Sequence, residues 1–135
     1  MERTFAIIKP NAVEKGYTGK MLTLIEDADF KMVGMRMDHL TQAQAEAFYQ
    51  EHRERPFFPS LVRFMTSGRV VLLALECEGA VEKFRRFMGS TNPTQAAPGT
   101  LRKLFGESLE ANSIHGSDSL TSAERELAFF FQNLT

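Results

Sequence analysis

Residues Val70-Val71-Leu72-Leu73-Ala74-Leu75 are continuously apolar, bounded by Gly68-Arg69 on one side and Glu76 on the other. A run of this length and continuity, between a turn residue and a charge, predicts a buried strand over 69–75. Any fold for this chain must wrap its other elements around that strand. Thr4-Phe5-Ala6-Ile7-Ile8 is also short, apolar and partly β-branched, and Pro10 ends it, so a second buried strand is expected there. Met32 to Met37 is a third strand candidate. Ser113 to His115 is too short to stand alone but fits a last strand.

Helical spacing fills the intervals. Met21, Leu22, Leu24, Ile25 and Ala28 recur at helical spacing across 18–28. Thr41 is an N-cap candidate for a helix carrying Ala45, Phe48 and Tyr49, broken by Pro56. Phe58 to Phe64 and Ala80 to Met88 read as further helices. A helical turn is expected over 100–105 within the otherwise irregular stretch 89–112. Thr121-Ser122-Ala123-Glu124 matches a capping box opening a last helix to Phe131. The resulting order is strand, helix, strand, helix pair, strand, helix, strand, helix. A β-α-β-β-α-β core of the ferredoxin type fits it; periodicity alone also leaves a doubly wound parallel sheet open.

Bulk properties narrow the function classes. A chain of 135 residues suits one domain, 1–135, with a self-sufficient core. A net charge of -1 gives no general attraction to nucleic acid or anionic membrane, so any phosphate must be bound by local cations. The single cysteine, Cys77, has no partner within the chain and is expected to be buried, with a reducing compartment inferred. No targeting segment or membrane-length apolar stretch is visible, so a cytoplasmic location is expected. Gly16-Tyr17-Thr18-Gly19-Lys20 superficially suggests a phosphate-binding loop. Its glycine spacing is too short, and Met21 stands where a metal-binding hydroxyl is needed.

The chemistry concentrates in Asn112-Ser113-Ile114-His115-Gly116-Ser117-Asp118-Ser119. One histidine sits among small, polar, turn-forming residues, where a reactive side chain can be held and reached. A neutral imidazole can attack an electrophile without first losing a proton. His39, after an apolar run, and His52, in a charged stretch, have no such context and read as ordinary surface or packing histidines.

This segment resembles the N-x-x-H-G-S-D signature of nucleoside diphosphate kinases. Further blocks match that family in the same order: Ile7-Ile8-Lys9-Pro10-Asn11-Ala12-Val13, Arg55-Pro56-Phe57-Phe58, Met65-Thr66-Ser67-Gly68, Thr91-Asn92-Pro93 and Pro98-Gly99-Thr100-Leu101-Arg102. The likeness runs from about Glu2 to Phe131. It implies an α+β, ferredoxin-like fold, β-α-β-β-α-β, with an antiparallel four-stranded sheet, helices on one face and additional helices. It implies ping-pong transfer of the terminal phosphate of a nucleoside triphosphate to a nucleoside diphosphate, with broad tolerance of base and sugar.

The resemblance also assigns roles. His115 matches the histidine that becomes phosphorylated, Glu126 the carboxylate that orients it, and Ser117 the hydroxyl supporting that pair. Lys9 matches a lysine contacting phosphate and ribose hydroxyl. Arg85 and Arg102 match phosphate-binding arginines, and Thr91 a hydroxyl in the same cluster. Tyr49 matches a tyrosine near the site, and Asn112 a sugar-binding asparagine. Phe57 matches the aromatic that stacks on the base, with Leu61 beside it and Leu109 replacing a commoner valine near the pocket. Magnesium is implied as carried on the nucleotide phosphates, with Asp118 reaching it through water and no direct protein ligand.

Asn11 and Ala12 stand where many members have aspartate and glycine, and Arg69 where many have proline; none removes a matched chemical group. The short end after the last helix resembles bacterial members, and the loop from Gly89, with Pro93 and Pro98, resembles the family's subunit-contacting loop. A homo-oligomer built on a dimer is therefore expected, a tetramer ahead of a dimer or hexamer. Two other classes compete: a regulatory relative without activity, which would have lost His115, Lys9 or Arg102, and a ferredoxin-like module binding single-stranded nucleic acid. The module needs a basic, aromatic sheet face, whereas Val70 to Leu75 is aliphatic, so no dedicated nucleic-acid site and no membrane partner are expected.

Overall fold

The structure, a computed structural model, describes residues 1–134. Four strands form one sheet in the order β2-β3-β1-β4: β1 Glu2–Ile8, β2 Lys31–Asp38, β3 Val70–Cys77 and β4 Ile114–Gly116. Every neighbouring pair is antiparallel, with Glu2 opposite Cys77, Ile7 opposite both Leu72 and His115, and Met37 opposite Val71. The antiparallel pairing excludes the doubly wound sheet that periodicity had left open. Strand β2 carries an irregularity between Met32 and Gly34.

Seven α-helices lie among the described residues, α1 Pro10–Glu14, α2 Thr18–Asp27, α3 Gln42–Phe48, α4 Phe58–Met65, α5 Ala80–Met88, α6 Leu101–Phe105 and α7 Leu120–Phe130, with short 3-10 turns at Gln50–His52 and Pro93–Gln95. They cover both faces of the sheet, not the one face expected. Alternate residues of the central strands sort into two cores. Ala6, Ile8, Leu73 and Leu75 pack with Met21 and Ile25 of α2 and Phe84 of α5. Phe5, Ile7, Val70 and Leu72 pack with Phe48 of α3, Met65 of α4 and Phe130 of α7. A strand covered on both sides needs apolar residues at successive positions, which is why β3 is one apolar run although its neighbours are antiparallel. Truncating one of the buried Leu, Ile, Met or Phe side chains among them to alanine costs about 2–5 kcal/mol. Cys77 is buried at the end of β3.

Two helix starts differ from expectation. Pro10 not only ends β1 but occupies the first turn of α1, where its missing N–H costs nothing. Helix α7 begins at Leu120, capped by Ser119, whose side chain accepts from the Ser122 amide at 3.1 Å. The expected box at Thr121 is therefore inside the helix. At α3 the box is present as Thr41 and Gln44, bonded reciprocally at 3.1 and 2.9 Å. Of the rejected phosphate-loop look-alike Gly16-Tyr17-Thr18-Gly19-Lys20, the last three residues lie in the first turn of α2.

Candidate active site

His115 is brought to its position by β4, a three-residue edge strand held only to β1. The strand is entered through unusual backbone. Ser113 has φ 77°, and its carbonyl accepts from the Lys9 amide at 2.9 Å. Its Oγ donates to the Phe105 carbonyl at 2.7 Å and accepts from Asn11 Nδ2 at 2.8 Å. A left-handed serine costs about 1–3 kcal/mol and persists only when its surroundings over-determine it, as these bonds do. Gly116 has no room for a side chain: a Cβ there would meet Met88 Cε at 2.7 Å. Asn11 also donates to Glu107 Oε2 at 2.8 Å, a bond that an ionised aspartate in its place could not make.

The imidazole is partly buried, edge-on to Phe48 at 5.5 Å and Tyr49 at 6.3 Å. Its Nε2 lies 2.9 Å from Glu126 Oε1, and Ser117 Oγ donates to the same oxygen at 2.8 Å. A carboxylate accepts, so Nε2 carries the proton and Nδ1 keeps its lone pair. The second oxygen of Glu126 faces Arg125 Nη2 at 3.6 Å. Burial acts to raise the Glu126 pKa, but the bonds from His115 and Ser117 and the charge of Arg125 outweigh it and hold the carboxyl below its ordinary value.

A cleft of about 810 Å³ opens over this pair. Lys9, at the end of β1, is only 7% exposed. Burial lowers its pKa first, Arg102 adds to the effect, and Glu110 opposes it, leaving a value of about 7. Arg102, on α6, is buried and donates from Nη1 to the Gly89 carbonyl at 3.0 Å and from Nη2 to the Ile114 carbonyl at 2.9 Å. Burial brings its pKa down to about 10; Asp118 opposes the shift and Arg85 reinforces it. Gly89 must be glycine, since its φ is 86° and a Cβ would lie 2.6 Å from Thr100 Oγ1. Arg85 is exposed on the cleft wall, whereas its neighbour Arg86 turns to Glu82 at 3.5 Å.

The remaining expected residues fall in the same place. Tyr49, Thr91, Leu61, Leu109, Asn112 and Asp118 line the cleft, with half-exposed Phe57 at its mouth. Asn112 Nδ2 donates to the Thr91 carbonyl at 3.0 Å. Ser117 is fully buried behind Glu126 and does not reach the cleft surface. Burial, with the charge of Glu126 second, pushes the Tyr49 phenol upward, so it stays protonated. Among the described residues, buried polar atoms without a partner include Tyr49 Oη, Arg102 Nε and Asn112 Oδ1, all belonging to residues of this cleft. Orphaned polar groups around a cavity that also holds Lys9, Arg85 and Arg102 mark a site shaped for a polar ligand.

Sequence reasoning missed other parts of this site. Phe48, Met88 and Glu110 line the cleft, and Arg125 braces the carboxylate from outside. No local pattern marks them, since each looks like an ordinary helix or loop residue. His52 keeps its packing role but does so at the cleft mouth, its ring 5.5 Å from that of Phe57. Among the described residues no cluster of three or more His, Cys, Asp or Glu could hold a metal ion, and no helix is long and apolar enough to cross a membrane.

Comparison with known proteins agrees with the geometry. The family model described as nucleoside diphosphate kinase matches residues 2–135. The chain is 57% identical to the nucleoside diphosphate kinase of Geotalea uraniireducens over 134 residues, covering 99% of this chain and 98% of that one. It superimposes on the Aquifex aeolicus nucleoside diphosphate kinase with a TM-score of 0.96 at 42% identity, over 99% of both chains. A Halobacterium salinarum nucleoside diphosphate kinase, solved in complex with CDP, gives a TM-score of 0.95 at 41% identity, over 98% of this chain and 88% of that one.

Proposed function

The chain belongs to the nucleoside diphosphate kinase family, and on that premise we propose that His115 carries the phosphate through its Nδ1 atom. Phosphate transfer between nucleotides is the activity of the family and of this chain. The observation that carries the atomic assignment is the 2.9 Å bond from Nε2 to Glu126, which leaves Nδ1 as the one nitrogen with a free lone pair. Nδ1 attacks the γ-phosphorus of a nucleoside triphosphate. The N–P bond forms as the bridging P–O bond breaks, and its electron pair leaves with the diphosphate. The ring, which keeps its Nε2 proton, becomes cationic, and Glu126 stabilises that charge. A second nucleoside diphosphate then attacks the phosphohistidine through its terminal oxygen and reverses each step, restoring the neutral ring.

The chain's cations supply the electrostatics. Arg102 and Arg85 neutralise the transferring phosphate, and Thr91 donates to it. Lys9 bridges phosphate and sugar, Asn112 holds the sugar, and Tyr49 presents its unpaired hydroxyl beside the ring. Phe57, Leu61 and Leu109 sandwich the base through its faces, which every base shares, so purines and pyrimidines both fit. Magnesium would enter on the phosphates, where it neutralises their oxygens. Of the carboxylates that line the cleft, exposed Asp118 would reach that ion through water.

At a coarser level we propose that 1–135 acts as one domain, is cytoplasmic, and assembles as a homo-oligomer built on a dimer, a tetramer ahead of the hexamer. Met35 and Met37, 57% and 50% exposed on the edge strand β2, support self-association there. Light scattering that finds only monomers overturns it. The competing single-strand-binding reading loses its support, because both sheet faces are covered by helices. Labelled ATP tests the function: label should appear on the protein, survive alkali, be lost in acid and pass to added GDP. Labelling that persists in His115→Ala rejects the assigned nucleophile.

A further inference from the structure

The walls of the cleft mouth come from segments distant in sequence. Helix α4 and its leading residue bring Phe57 and Leu61; the loop 106–113 brings Leu109 and Glu110. Among the described residues no backbone hydrogen bond joins α4 to that loop. One side-chain bond does: Ser60 Oγ donates to Glu110 Oε2 at 2.7 Å. Ser60 immediately precedes Leu61, and Glu110 immediately follows Leu109. The bond therefore ties the two backbones beside the apolar side chains between which a base would lie. Both residues are half-buried.

Apart from its charge opposing the shift at Lys9, Glu110 makes no contact among the described residues that would favour a phosphate ligand. It lines a cleft whose ligand carries several negative charges, where a free carboxylate repels. Ser60, which does not line the cleft, holds it from the side. A slot that grips a flat ring needs its walls at a fixed spacing, because a gap of 0.5–1 Å already forfeits about a quarter to a half of the dispersion contact. A charge-assisted bond across the mouth fixes that spacing without touching the base.

We infer that Ser60 and Glu110 form a clasp that sets the width of the base slot, making them positioning residues for the nucleoside half of the substrate. This rests on reading the cleft as the nucleotide site. It separates nucleotide donors from donors without a base or sugar. Phosphoramidate can place phosphate on histidine with no nucleoside to grip, so the clasp has nothing to act on in that reaction.

The test measures KM and kcat for nucleoside diphosphates alongside labelling of His115 by phosphoramidate. Ser60→Ala should raise KM about 3- to 10-fold, as expected for loss of one partly exposed charge-assisted bond. Its kcat should stay within about two-fold and its phosphoramidate labelling should not change. Ser60→Thr, which keeps the hydroxyl, should restore KM. The double variant Ser60→Ala with Glu110→Ala should be no worse than the poorer single variant, since both remove one bond. Wild-type KM in Ser60→Ala, additive single effects, or equal loss with both donors overturns the clasp. A wild-type chain that phosphoramidate labels but ATP does not overturns the nucleotide reading itself, and the clasp with it.

Discussion

The floor and the mouth of the cleft are built on opposite terms. At the floor, His115 and Ser117 bond directly to Glu126 at 2.9 and 2.8 Å, Arg102 is pinned to the Gly89 and Ile114 carbonyls at 3.0 and 2.9 Å, and most of these side chains are buried. At the mouth, Phe57 and Leu109 are 48% and 61% exposed, and a single bond spans the walls. The difference follows from the work of each end. In-line transfer tolerates little displacement of nucleophile and cations, so the floor is pre-organised at the cost of buried charge. A base must be held without being read, so the mouth uses contacts that carry little direction.

Removing the floor's nucleophile should have the largest effect. His115→Ala should lower phosphate transfer by at least about 10⁴-fold while circular dichroism stays native. A mouth variant that costs as much would break the distinction. Glu126→Gln sharpens it. The amide oxygen can still accept from Nε2 and Ser117, so geometry survives while the charge that stabilises the phosphorylated ring is lost. Transfer should slow about 10- to 100-fold, with KM little changed.

Lys9 gives the floor a pH signature that the mouth lacks. Its pKa of about 7 lies well below the ordinary 10.5, chiefly through burial. Between those values the unfolded chain binds more protons than the folded one, so this residue's contribution to stability improves as pH rises from about 7 to 10.5. Nucleotide phosphates favour the charged form, so binding above pH 7 must take up a proton and weaken as pH rises. Titration calorimetry at pH 8, in buffers of different ionisation enthalpy, should report uptake approaching one proton. Lys9→Met should abolish it; wild type without uptake would remove Lys9 from the phosphate site. Phe57→Ala, at the mouth, should raise KM about 5- to 10-fold through lost stacking and leave kcat nearly unchanged.

What the chain discloses before folding divides along similar lines. Strand β3 is legible from Val70 to Leu75 because burial on both faces forces an uninterrupted apolar run. The same fact hides the second helical layer, since one apolar run does not say what covers each side. Strand β4 is three residues long, below any periodicity, and only the motif around His115 marks it. Helix α1 is hidden because Pro10 signals a strand end and a helix start with equal force. The site follows the same rule. His115 stands out by its neighbours, but Glu126, Arg85 and Phe57 were given roles only through likeness to a family. Their partners lie across the fold, as does Ser60, the partner of Glu110, and local composition carries no record of such contacts.

The smallest effect tests whether the floor depends on how α7 is anchored. Glu126 rides on α7, and the helix starts five residues after His115 with its cap, Ser119, accepting from the Ser122 amide. Thr121, which the sequence pattern favours as the cap, is exposed and lies within the first turn. Ser119→Ala should therefore cost about 1 kcal/mol and lower Tm by roughly 3–5 °C, while Thr121→Ala should stay within about 0.5 kcal/mol. Transfer rates should hold within about two-fold in both, because the Glu126–His115 bond lies beyond the frayed first turn and is fixed again by Ser117 on β4's exit. If Ser119→Ala slows transfer tenfold at a temperature where it is fully folded, the cap itself positions the carboxylate. The floor would then be held from its helix terminus, with the bonds among His115, Ser117 and Glu126 insufficient on their own.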